Sequence, residues 1–178
     1  MRAKGFGQNK VFVFLFFVLS ACFLLCGCGD TGGYSNESLF EDDVDSVYVE
    51  MFDSHSFRRG IEYELTDALA KRIEAETPYK VISSRDRADT IISGRIISAG
   101  ESALTSERET GRALEKEVEL RVVVDWENLK TGELIIDNMI VSATASYSEW
   151  QNQSFEYAST IAANKLAERI VELMEKSW

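Results

Sequence analysis

Three cysteines, Cys22, Cys26 and Cys28, end one apolar N-terminal run, and no cysteine follows them. A thiolate is a nucleophile, and this setting suits transfer of a diacylglyceryl group onto sulfur. Leu25-Cys26-Gly27-Cys28 supplies an aliphatic residue, two small residues and then the acceptor cysteine, with Gly27 leaving a peptidase room at the bond to be cut. Arg2, Lys4 and Lys10 give a positive leader, Val11 to Leu25 the apolar stretch, and Gly29 to Ser38 a polar tail. Leu19-Ser20-Ala21-Cys22 has the same form, so Cys22 is the alternative acceptor. Cleavage there would strand Phe23-Leu24-Leu25 beside the anchor, which favours Cys28. A membrane span needs about 20 apolar residues, and Val11 to Gly27, broken by Ser20, is marginal for one. Residues 1–27 therefore read as a lipoprotein signal peptide, 28–44 as an acylated cysteine with a flexible tether, and 45–178 as a single domain. Acyl chains contribute about 0.8 kcal/mol per buried methylene, enough for several chains to hold such a domain at a membrane.

Other chemistry finds little support. Asp42 and Asp43 could be nominated as an acid and base, but neighbouring carboxylates in a tether are solvated charges. His55 is the only histidine, too few for a histidine metal site or a triad partnered in the usual way. No glycine-rich phosphate loop, nucleophile elbow or metal-ligand spacing occurs, so no enzyme activity, cofactor or metal is expected. Beyond Cys28, 16 basic residues face 30 acidic ones, a net charge of −14. That balance argues against nucleic acid and against loose adsorption to phosphate surfaces.

Three features suit recognition better. Phe57-Arg58-Arg59 stands where a helix should begin, and cations there oppose the helix dipole, so Arg58 and Arg59 are candidate contacts for an anion or an acidic partner. Arg85 and Arg87 form a second basic spot, with simple pairing to Asp86 and Asp89 as the alternative. Trp150 and Trp178 lie in polar surroundings and could anchor an interface or cap the edges of a core.

The elements that must position these residues follow from periodicity. Ser46 to Phe52 alternates with Val47, Val49 and Met51 on one face, predicting a strand. Ile61, Leu65, Ala68, Leu69 and Ile73 mark one face of a helix over 58–76, which Pro78 stops. Tyr79 to Ser83 and Thr90 to Ala99 read as strands. Gly100 to Glu115 reads as a long polar loop of the kind that is functional or disordered. Val118, Leu120, Val122, Val124 and Trp126 alternate with mostly polar residues, the mark of a half-buried antiparallel strand. A turn at Lys130 to Glu133 returns the chain as Leu134 to Tyr147. Ser154 caps a second helix over 155–176, with Ala158, Ile161, Ala162, Leu166, Ile170 and Leu173 on its apolar face. Each helix has one apolar face and so does the sheet. The expected fold is thus an α/β (α+β) two-layer sandwich: two helices on one face of a mixed, mostly antiparallel sheet of four or five strands, its other face left to water or a partner.

Taken together, the lipobox Cys26-Gly27-Cys28-Gly29, Gly33-Tyr34-Ser35, Val47-Tyr48-Val49-Glu50-Met51-Phe52, Ser56-Phe57-Arg58-Arg59-Gly60-Ile61-Glu62, Leu65-Thr66-Asp67-Ala68-Leu69 and Arg87-Ala88-Asp89-Thr90 resemble the lipopolysaccharide-assembly lipoprotein family LptE. The resemblance runs over nearly all of the mature chain and is a distributed pattern without a catalytic signature. It implies an outer-membrane lipoprotein facing the periplasm. Its implied partner is the large β-barrel LptD, which it would plug and help to assemble, taking part in delivery of lipopolysaccharide. The alternative is a periplasmic lipoprotein adaptor for cell-wall or secretion machinery. No lipid-binding residue of the family maps onto a particular position here.

Overall fold

The two long antiparallel ladders dominate the chain. In the computed structural model, which describes residues 39–54, 58–111 and 113–176, β1 (Ser46–Val49) and β2 (Asp53–Ser54) precede helix α1 (Ile61–Glu76). β3 (Lys80–Val81), β4 (Thr90–Ser106), β5 (Ala113–Asn128), β6 (Glu133–Tyr147) and helix α2 (Phe155–Leu173) follow. The sheet runs β3-β1-β4-β5-β6, with β2 paired to β4 off that path. β1 pairs in parallel with both β3 and β4, while β4, β5 and β6 are antiparallel. The mixed sheet and its two helices agree with the expected architecture. All described residues belong to one unit, Ser38–Trp178. The signal peptide, Cys22, Cys28, the tether up to Ser38, His55, Phe57 and Trp178 lie outside the described residues.

α1 forms because Ile61, Leu65, Leu69 and Ile73 recur every four residues and are all buried. Gly60, at φ 104, turns the chain into the helix, and Thr77, held extended before Pro78, closes it by donating its N–H to the Ile73 carbonyl at 3.0 Å. α2 is capped by Ser154, whose Oγ accepts the Tyr157 N–H at 3.3 Å. Its buried face is rich in alanine, with Ala158, Ala162, Ala163 and Ala167, so it lies close to its neighbours. Thr160 Oγ1 donates to Glu64 Oε2 across the helix pair at 2.9 Å. Both helices pack with the inward sheet residues Val118, Leu120, Val122, Val124 and Trp126 in one core.

Three departures from the sequence expectation have physical reasons. The stretch 100–115 is not a loop. Gly100 to Ser106 continues β4, pairing from Glu119 to Ala113 of β5, and the turn is confined to the residues around Glu107 to Gly111. Glu101 to Ser106 are exposed on both faces. A strand with no face to bury carries no apolar alternation, and its polarity hides it.

Second, β1 stops at Val49, and the pairing with β4 resumes at Asp53 opposite Arg95, after Val49 opposite Ile92. One more residue is used on this side than on β4, which reverses the faces. Met51, expected inward, is 48% exposed, and Phe52 is buried instead. Phe52 fits because Gly94 has no side chain: a Cβ there would come within 2.5 Å of Phe52 Cε1.

Third, packing begins at Leu39, inside the stretch expected as tether. Val44 is buried, the Phe40 ring meets Tyr79 edge-on at 5.7 Å, and the Lys176 N–H donates to the Leu39 carbonyl at 2.7 Å. Burial pushes the Tyr79 hydroxyl up to about 12, with lesser effects from Glu41 and Asp42. Two anchors in an acidic segment were enough to dock it.

Candidate interaction surface

With both helices on one side, no element among the described residues covers the other side of the sheet. Alternation along β5 turns Glu119, Arg121, Val123 and Asp125 to that side. Val123 lies opposite Ile140 of β6 and Arg95 of β4. Ile97 is the extra residue at a register shift in β4, and it is 44% exposed, as Ile140 is 57% exposed. Val123 and Ile140 thus sit side by side, with Ile97 diagonal to them on β4, and this diagonal apolar stripe is interleaved with Arg95 and Arg121. Beside it a groove of about 560 Å³ is lined by Tyr48, Glu50, Met51, Asp53, Arg95, Asp125 and Asn138. Asp125 Oδ1 accepts the Asn138 N–H at 2.7 Å and steadies Asn138 at φ 47, in the left-handed region.

The far end of the sheet is held by charge. Arg58 Nη2 is 3.1 Å from Glu101 Oε2, and its guanidinium lies 3.5 Å from the centre of the Phe155 ring. Lys116 Nζ is 3.0 Å from Glu101 Oε1 and 2.7 Å from Glu149 Oε1. The hydrogen bond from Lys116, ahead of burial and other effects, lowers the Glu101 carboxyl below its ordinary range. Glu149 and then Glu101 raise the Lys116 ammonium. Burial raises the Tyr147 hydroxyl nearby.

These positions define what the sequence candidates do. Arg58 precedes α1 and shares its charge with Glu101, while Arg59 is exposed beside it. Arg85 reaches Glu50 at 3.9 Å instead of Asp86 or Asp89, and Arg87 is exposed. Asp89 serves the other end of the sheet. It accepts from Ser46 N at 2.9 Å and Ser46 Oγ at 2.7 Å, and Lys130 Nζ lies 2.6 Å away. Hydrogen bonds from Lys130 and Ser46 hold its carboxyl down at about 2. Trp150 sits in a 3₁₀ turn, Glu149–Gln151, and is 63% exposed beside the Lys116 cluster. Arg58 pairs with Glu101 and Arg85 with Glu50, so the two basic pairs serve different carboxylates. The open stripe was not visible in the sequence, because Ile97 and Ile140 are ordinary strand residues whose exposure depends on register.

The comparisons agree with this geometry. A sequence model of LptE, described as lipopolysaccharide-assembly, matches residues 44–175. No curated protein matches the chain. Among solved structures the chain is similar to the hypothetical protein CT253 from Chlamydia trachomatis, at 12% identity and a TM-score of 0.53, covering 72% of this chain and 94% of that one. It is also similar to the rare lipoprotein B from Shewanella oneidensis, at 15% identity and a TM-score of 0.50, covering 73% and 93%. An uncharacterized lipoprotein B from Nitrosomonas europaea matches at 17% identity and a TM-score of 0.50, covering 72% and 80%. At these identities the structures speak for the fold alone. The family match spans nearly the whole folded body, from Val44 to Glu175, and this chain belongs to the LptE lipopolysaccharide-assembly family.

Proposed function

We propose that the chain is an outer-membrane lipoprotein, acylated at Cys28 and facing the periplasm. It seats its body inside an LptD-type β-barrel and so assists lipopolysaccharide assembly at the cell surface. Its contribution is location and shape, with no bond-making step. The observation that carries this reading is the division of the sheet: among the described residues both helices cover one face and nothing covers the other, in a chain of this family. Glu119, Arg121 and Asp125 suit the polar interior of a large barrel, and the Ile97, Val123, Ile140 stripe supplies an apolar contact. Acylation confines the domain to the membrane surface and raises its effective concentration near any barrel embedded there.

The test is co-purification of the tagged full-length chain after mild detergent extraction. Recovery of a large β-barrel is expected, reduced by at least about tenfold in a Val123→Lys/Ile140→Lys variant that keeps its stability, a loss of ~1.4 kcal/mol or more in association. Recovery of cell-wall or secretion proteins without a barrel would overturn the proposal in favour of the adaptor. Labelling with radioactive palmitate should persist in Cys22→Ala and vanish in Cys28→Ala.

A further inference from the structure

β6 is the last strand of the sheet, so among the described residues one of its edges faces no other strand. Such an edge is a template for strand addition unless something blocks it. β6 has two dissimilar halves. From Glu133 to Asn138 its pairing with β5 is broken by two register shifts, one on each side of the Trp126 and Ile136 pair. Irregular backbone of this kind does not accept a new strand. From Met139 to Tyr147 the pairing with β5 is regular, running from Val124 to Lys116 without a shift. This half, Met-Ile-Val-Ser-Ala-Thr-Ala-Ser-Tyr, has no charge and no proline, the composition that self-pairs most readily.

Two cations of α2 lie on that regular half. Lys165 Nζ donates to the Thr144 carbonyl at 3.0 Å, and the Arg169 guanidinium donates to the Ser142 carbonyl. Alternate residues of an antiparallel strand turn their N–H and C=O groups to opposite sides. Ser142 and Thr144 therefore share a parity, and their carbonyls are turned where α2 can reach them, away from β5. We infer that Lys165 and Arg169 hold the β6 edge shut against a second copy of this chain. With them removed, two β6 strands can pair antiparallel about Ala143, which sets Ser142 against Thr144 and Ile140 against Ser146 of the other copy. The carbonyls used in that pairing are the ones the two cations now occupy. The segment itself carries no charge, so a second copy of it is a better match than an ionic partner. The arrangement keeps the chain monomeric while its open face stays available.

Sedimentation of the full-length chain in mild detergent tests this. The parent should be monomeric, and Lys165→Ala/Arg169→Ala should dimerise at least about tenfold more tightly, ~1.4 kcal/mol or more. Both residues are exposed on α2, and alanine favours helix. Should the double variant lose its circular dichroism, Lys165→Ala alone is read in the same way. Adding Ser142→Pro should restore the monomer, since it removes a donor on the outer edge and leaves the β5 ladder intact. A dimeric parent, a guard-free variant that stays monomeric, or association that survives Ser142→Pro would each overturn the inference.

Discussion

The hairpin of β4 and β5 has two halves that share one hydrogen-bonding pattern and little else. In the near half the inward side chains, among them Ile92, Ile96, Leu120, Val122 and Trp126, are buried beneath two helices. In the far half, Glu101 to Ser106 are exposed, and what holds the strands is their ladder together with Arg58, Glu101, Lys116 and Glu149. The near half is stabilised by burial, which is large and insensitive to salt. Exposed ion pairs contribute only ~0–1 kcal/mol and are screened. Stability and adaptability are thus separated along one pair of strands, and the near half carries the open face from a firm base.

The sharpest way to break this contrast is to compare truncations. Leu120→Ala should destabilise the chain by ~2–5 kcal/mol in urea denaturation, whereas Leu104→Ala, 49% exposed in the far half, should stay within about 0.5 kcal/mol. Equal losses would show that the far half has a core of its own. Next in size is Gly94→Ala, which drives a methyl group against both the Val123 carbonyl oxygen and the Phe52 ring and should cost about 1–3 kcal/mol. A double-mutant cycle with Phe52→Leu should recover part of that loss, and strict additivity would remove Phe52 as the cause.

A smaller effect concerns pH at the near end. The folded Asp89 carboxyl, at about 2, lies below its ordinary 3.8. The unfolded chain therefore binds more protons between those values, and stability falls as pH drops through that window. Allowing for screening of the exposed Lys130, Asp89→Asn should remove ~1 kcal/mol at neutral pH and flatten the acid limb of stability against pH. An unchanged acid limb would discount these hydrogen bonds. The smallest global effect belongs to Lys116→Ala. It should lower unfolding free energy only slightly, and high salt should shrink the difference. Amide exchange over Gly100 to Ser106 should nonetheless quicken well before the near half responds.

The same division explains what could be read from the chain. Every element that buries a face announced it: the four-residue recurrence of Ile61, Leu65, Leu69 and Ile73 gave one helix, and the alternation from Val118 to Trp126 gave the central strand. The far half reads as a loop because a doubly wet strand has no period. Phe52 and Met51 exchanged faces because one additional residue in the crossing from β1 to β2 shifts parity, and Gly94 shows the space this requires only when the strands are paired. Asp89 looked like a partner for arginine, whereas the fold gave it to Ser46 and Lys130.

The order of residues alone determined which side chains had to leave water, and hence two helices, a half-buried sheet and the resemblance to LptE, since burial period is a local property of the chain. Only the tertiary structure decided which strand lies at the edge, where Lys165 and Arg169 fall upon it, and how Ile97, Val123 and Ile140 line up in the open. Those relations join residues distant in sequence, and register, which a single inserted residue reverses, fixes them.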